Sequence, residues 1–186
     1  MRPDRYDSRD TLLTIGVTSA GAMGGVFLAF STFVMRALDD LPPGQAITAM
    51  QAMNRRAPTP LFMVPLFGTA VLGVVLAARV RRRDERAGGW LVGGALSYLA
   101  AIVLTAAYHV PRNDELDRVD PGAADAAATW AAFVRGWTAA NHVRTLTCLA
   151  AAVCWAVALQ RRARPPAADP GAAAARPARP LSAPTR

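Results

Sequence analysis

Lysine is missing altogether: all 21 basic side chains among the 186 residues are arginines. Histidine occurs only twice and cysteine only twice. Each shortage closes off some chemistry. No carboxylate falls at ligand spacing near His142, and no cysteine pair has zinc spacing or a haem-attachment motif, so no metal is expected. Cys148 and Cys154 are six residues apart on one apolar stretch. On a helix their Cα atoms lie about 9 Å apart, too far for a disulfide. Both read as small core or lipid-facing residues. No glycine-rich phosphate loop follows a strand pattern, and no serine or cysteine stands beside a base as a nucleophile.

Charge is absent over long runs. The 25 residues from Thr11 to Met35 carry none, where about 20 helical residues cross a bilayer. A secretory core is only about 7–15 residues long, so this segment reads as a retained membrane helix. The net charge of +8 does not point to nucleic acid, because residues 161–186 hold six Arg and one Asp and supply +5 of it. The arginine and alanine bias suggests a GC-rich bacterial genome.

Four apolar segments are present, at about residues 12–38, 60–78, 90–110 and 137–159. They predict an all-α fold, an integral membrane four-helix bundle over residues 11–160. Residues 1–10 form a short N-terminus. The Ala/Pro/Arg-rich residues 161–186 form a tail expected to be disordered. Fourteen arginines flank the bundle at the two termini and the second linker, against six in the first and third linkers. By that asymmetry both termini are cytoplasmic and the protein is a multi-pass component of the cell inner (plasma) membrane. The first linker, "LPPGQAITAMQAMNRR", opens with prolines and spaces Ile47, Met50 and Met53 on one face. It predicts a short amphipathic helix over 43–56 at the outer interface. In the first helix, Ala20/Gly24 and Gly21/Gly25 are small-residue pairs four apart, suited to close helix packing.

Polar residues gather at the outer level. Ser31 and Arg36 lie in the outer half of the first helix, and Gln51, Asn54 and Arg55 on the amphipathic helix. Tyr108, His109, Arg112 and Asn113 sit where the third helix leaves the membrane, with Pro111 expected to end it. Asn141, His142 and Arg144 occupy the outer turns of the fourth. Trp130, Trp137, Asn141, Arg144 and Cys148 follow steps of seven, four, three and four, one helical stripe. His142 lies beside that stripe. An intramembrane arginine costs a few kcal/mol, so Arg144 should face the bundle, a partner or a wet cavity. Two readings stay open: a functional pocket, or a structural hydrogen-bond knot between helices. Trp130 and Trp137 also fit an interfacial aromatic belt.

In order along the chain, "GGVFLAFSTFVMRAL" (24–38), "LPPGQAITAMQAMNRR" (41–56), "PLF" (60–62), "VPRNDEL" (110–116) and "WAAFVRGWTAANHVRTL" (130–146) resemble a family of small four-helix membrane proteins. Many members are bacterial, and the fungal anthrone oxygenases belong to it. The resemblance covers roughly residues 12 to 160. It departs at Met35-Arg36-Ala37, where the pattern has Met-Pro-Ala, and at His109, where Asn precedes Val-Pro. It implies oxidation of an anthrone, a tricyclic phenolic polyketide, to an anthraquinone with O₂ as co-substrate and no established flavin or metal cofactor. Under it His142 is the general base, histidine being the side chain most often used for that role near neutral pH. Arg144, Asn141 and Asn113 stabilise the oxyanion. Trp130, Trp137 and Phe133 stack on the rings, and Gln51, Asn54 and Ser31 complete the substrate site. The competing expectation is a non-enzymatic membrane protein that binds a lipid, a quinone-like molecule or a partner helix. The sequence leaves the oligomeric state open.

Overall fold

Four helical runs are long and apolar enough to cross a bilayer: Asp10–Asp39, Pro60–Ala78, Ala87–Asp117 and Ala126–Ala163. The protein is an all-α, multi-pass membrane bundle. The computed structural model describes residues 8–80 and 85–163, and no strand occurs among them. Most of the expected N-terminus and all but the first three residues of the expected tail lie outside the described residues.

Helix α1 (Ser8–Ala29) passes through a π-turn (Phe30–Val34) into α2 (Met35–Asp39). Then come α3 (Pro43–Arg56) and α4 (Pro60–Ala78). Helix α5 (Glu85–Leu104) passes through a second π-turn (Thr105–His109) into α6 (Val110–Asp117), and α7 (Ala126–Ala163) closes the bundle. Helix α7 packs against α1 and α5, while α4 packs against α5 and α1.

Only α4, with 19 residues or about 28 Å, matches a hydrocarbon core of about 30 Å. The other three runs overshoot it. Their excess, α2, α6 and the first half of α7, builds a head together with α3.

The overshoot corrects two expectations. Pro111 does not end the third helix. The π-turn before it re-phases the backbone, so Pro111 stands in the first turn of α6, where its missing N–H costs nothing. The fourth helix begins at Ala126, not near Trp137. Trp130, Phe133 and Trp137 are spaced as one apolar stripe that the head covers, so the helix continues beyond its uniformly apolar part.

The apolar interior is in two pieces. The lower core gathers Leu13, Ala20, Met23, Phe27, Tyr98 and Cys148 around Trp155. A Cβ on Gly16 or Gly73 would come within 3.1 or 3.0 Å of the Trp155 ring, so these glycines let α1 and α4 close on it. Of the two small-residue pairs on α1, Ala20/Gly24 is the packed one. A Cβ on Gly24 would meet Leu149 at 2.8 Å, while Gly21 and Gly25 face open space. The upper core gathers Met35, Leu38, Ile47, Met50, Leu116, Trp130, Phe133 and Trp137. Ile47 and Met50 turn the apolar face of α3 into this core, and Met53 packs at its edge.

Candidate functional site

A polar layer separates the two cores. On the first helical run it falls between Phe27 below and Met35 above, on α7 between Cys148 and Trp137, and on the third helical run between Ala101 and Leu116. Its members are Ser31, Thr105, His109, Asn141, Arg144 and Thr145. All but Thr105 are buried. Both π-turns lie at this level. A π-turn loosens the regular ladder and exposes carbonyls to other donors. Each here receives a side-chain donor just ahead of it. Asn141 Nδ2 donates to Phe27 O at 2.7 Å and to Ser31 Oγ at 2.7 Å. His109 Nδ1 donates to Leu104 O at 3.2 Å.

Asn141 then orients Arg144. Its Oδ1 accepts from Arg144 Nε at 3.0 Å and from Nη2 at 2.6 Å, and Nη1 reaches Thr105 Oγ1 at 3.4 Å. The guanidinium lies 4.0 Å from the Phe27 ring centroid and 5.5 Å from that of Trp137. Five N–H donors are available, so at least two remain uncommitted. Arg144 is 7% exposed and forms no ion pair with any described residue. A buried cation without a carboxylate is costly, and rings and amides offset only part of that.

The cation opens onto a cavity of about 610 Å³, within the usual range of about 300–1,000 Å³ for small-molecule sites. Phe27, Phe30, Phe62 and Leu66 line its apolar side, and Thr105, His109, Asn113, Trp137 and Arg144 its polar side. Exposed Arg56, Asp114 and Asp117 mark a charged rim, and exposed Val26 and Phe67 an apolar one. Phe27 contacts Phe62 edge-on at 6.4 Å. Arg144 therefore stands at the level of the first turn of α4, near one boundary of the span. Two further polar atoms at this cavity are buried without a partner, Asn54 Nδ2 and His109 Nε2.

A family profile described as anthrone oxygenase matches residues 50–154, more than half of the 186 residues. The chain belongs to the anthrone oxygenase family. No curated protein and no solved structure matches it significantly. The matched region carries every cavity-lining residue from α3 onward. Helix α1 and the π-turn after it, which contribute Phe27 and Phe30, lie outside it.

Against this geometry the expected site residues divide. Arg144, Asn113, Asn54 and Trp137 line the cavity, and Trp137 Nε1 donates to Asn113 Oδ1 at 2.8 Å. Asn141 and Ser31 stand behind Arg144 and do not reach the cavity. Gln51 is spent elsewhere: its Nε2 donates to Leu116 O at 2.9 Å and Val119 O at 3.0 Å, capping carbonyls where α6 ends. Trp130 and Phe133 stack in the upper core, ring centroids 5.7 Å apart, and Trp130 Nε1 donates to Asp39 Oδ1 at 2.8 Å. Both are sealed away from the cavity. Trp130 and Trp137 are each 3% exposed and so form no interfacial belt.

His142 requires the largest correction. It is exposed on α7, roughly 100° around the helix from Asn141, and does not line the cavity. The buried histidine is His109, 1% exposed, which the sequence placed only where the third helix leaves the membrane. Its ring meets Trp137 edge-on at 5.2 Å. Spacing carried a signal for it. His109 is four residues from Thr105, so a helix that continued through Pro111 would put both on the Arg144 side. Cys148 and Cys154 are both free thiols. Among the described residues, no three His, Cys, Asp or Glu side chains gather as metal ligands.

Proposed function

We propose that the protein is a plasma-membrane oxygenase, with both termini cytoplasmic, that oxidises a phenolic, polyketide-type aromatic substrate with O₂ in this cavity. The cavity then faces the outer side of the membrane. One observation carries the reading: a buried guanidinium without a carboxylate partner beside an aromatic-walled cavity of about 610 Å³. Such a cation stabilises an anion that forms only during reaction, and it does so strongly where water is excluded.

For an anthrone the balance is one methylene plus one O₂ giving one carbonyl plus one water. Loss of a proton from the methylene makes a delocalised enolate whose oxygen lies against Arg144. The enolate supplies electrons to O₂ and bonds to it at the former methylene carbon. Loss of water from the hydroperoxide leaves the quinone carbonyl. Phe27 and Trp137 flank the rings, and Asn113, whose Oδ1 is held by Trp137, offers its Nδ2 to a substrate oxygen. Asn141 holds Arg144 in register. O₂ is the co-substrate, and this reading calls on no other cofactor.

The test is O₂ uptake by the detergent-purified protein with anthrone and a chelator present. Wild type should consume O₂ and form anthraquinone in equal amounts, and Arg144→Leu should stay folded but inactive. Uptake no faster than the spontaneous rate in wild type removes anthrones as substrates.

A second reading has its own support. Asn141 uses both ends of its amide to join α1 to Arg144, as in a purely structural knot of a lipid- or quinone-binding protein. It predicts that Arg144→Leu fails to fold.

A further inference from the structure

We infer that the cavity is loaded from the bilayer: a flat, apolar substrate enters sideways between α1 and α4, past Val26 and Phe67, and reaches Arg144 without crossing water. The class of substrate rests on the oxidative reading above, and the route rests on where the cavity opens.

The cavity has two mouths of opposite character. Arg56, Pro58, Thr59, Asp114 and Asp117 border one of them, and all five are exposed. The first three precede Pro60, where α4 begins, so this mouth lies at the end of the span. The other mouth lies within the span. Val26 and Phe67 line the cavity although they are 40% and 52% exposed. Both belong to helical runs long and apolar enough to cross a bilayer. Phe67 stands seven residues past Pro60, about 10 Å along α4, where the surroundings are acyl chains and not headgroups.

The second mouth is a slot with two closed ends. Helices α1 and α4 meet at Ser19 and Thr69, whose hydroxyls are 2.5 Å apart, and again at Phe27 and Phe62, whose ring centroids are 6.4 Å apart. On each helix the mouth residue falls between these contacts. Seven residues of α4 separate them, about 10 Å, so a flat ring system can pass edge-on.

The route suits the chemistry inside. Fused aromatic rings concentrate in hydrocarbon, since removing apolar surface from water is favourable by about 25 cal/mol per Å². The polar mouth would instead carry them past Arg56, Asp114 and Asp117, whose hydration an apolar ring cannot replace. Phe27 follows Val26 in the chain and holds the Arg144 guanidinium 4.0 Å from its ring centroid. Entry past Val26 therefore leads straight to the cation. The substrate oxygen meets Arg144, while a hydrocarbon substituent at the far end of the rings stays in the slot or in the lipid. The polar mouth remains for the water that the oxidation releases.

The test uses the full chain in phosphatidylcholine vesicles. The variant Val26→Trp/Phe67→Trp fills the slot with apolar rings, and Val26→Trp alone serves as a second variant. Thermal unfolding confirms that each is folded. The first measurement needs no oxidation. A lipid with a diazirine midway along one acyl chain is irradiated in the vesicles. It should label half-buried Thr105 on the cavity wall, as well as Leu61, which is 89% exposed on α4. In the folded variants Thr105 labelling should fall at least about fivefold, with Leu61 labelling unchanged. Thr105 unlabelled in wild type, or labelled equally in the variants, would overturn the lateral route. In the second measurement, protein preloaded with anthrone in the absence of O₂ is mixed with O₂. The first turnover should stay within about twofold of wild type, while steady-state uptake falls at least about tenfold because entry now limits the rate. Equal slowing of both phases would mean that the two residues act on bound substrate, and would overturn the route. So would a larger steady-state loss in Thr59→Trp, at the polar mouth, than in the slot variants. Wild type labelled at Thr105 yet inert with anthrone would overturn the oxidative reading and support the route.

Discussion

At the scale of single residues, the polar layer has one hub and one passenger. Asn141 is 0% exposed, and its amide serves Phe27 O, Ser31 and Arg144 together. Asn141→Ala strands a carbonyl and a cation, so it should lower the unfolding free energy by about 2 kcal/mol. Arg144→Leu should cost less, because the burial cost of the charge leaves with the charge. Denaturant titration in detergent would rank the two, and the reverse order would mean that Arg144 is itself the structural hub. His142→Ala should change neither stability nor O₂ uptake beyond about 0.5 kcal/mol equivalent, as for other exposed sites. A tenfold loss of uptake in that variant would place His142 in the chemistry after all. The stripe Trp130, Trp137, Asn141, Arg144, Cys148 was legible from spacing alone, and the structure buries all five residues. That stripe already implied that His142 faces elsewhere. What spacing could not show is which stripe residues reach open space, since that depends on where the neighbouring helices part.

At the scale of elements, the bounds that could be read were those with chemical punctuation. Pro43 and Pro60 each stand in the first turn of a helix, α3 and α4 respectively. The π-turns carry no such mark: Phe-Ser-Thr-Phe-Val and Thr-Ala-Ala-Tyr-His would pass for ordinary α-helix. Each is in effect one residue too many for a regular ladder. Deleting exposed Thr32 from the first should restore an α-helix and turn everything beyond it by about 100°. Met35 and Leu38 would leave the upper core, at a cost of about 3–6 kcal/mol by their lost burial. Thermal unfolding and the fluorescence of Trp130, which bonds Asp39 on the same helix, would report the loss. An unchanged melting temperature would show that the turn is dispensable.

At the scale of the whole molecule, four spans were evident from hydropathy and α3 from its prolines and apolar spacing, but the rest of the head was not. Helices α2, α6 and the first half of α7 continue the spans, and their apolar stripes pack with α3 in the upper core. The proposed orientation rests on the arginine distribution. In a chain with Cys148 and Cys154 replaced by Ala, an impermeant thiol reagent on intact cells should label Arg56→Cys and spare Ser8→Cys. The opposite pattern would invert the proposed topology. The polar layer between the two dry cores bears on assembly as well as chemistry. Spans inserted one by one can slide along one another at little cost, since a leucine gains almost nothing by exchanging a lipid tail for another leucine. A slip of one turn, about 5.4 Å, would carry Asn141 and Arg144 past their partners and press them against Met35 or Phe27. The layer therefore works as a detent: it tells each arriving helix how deep to stop, before any ligand reaches the cavity.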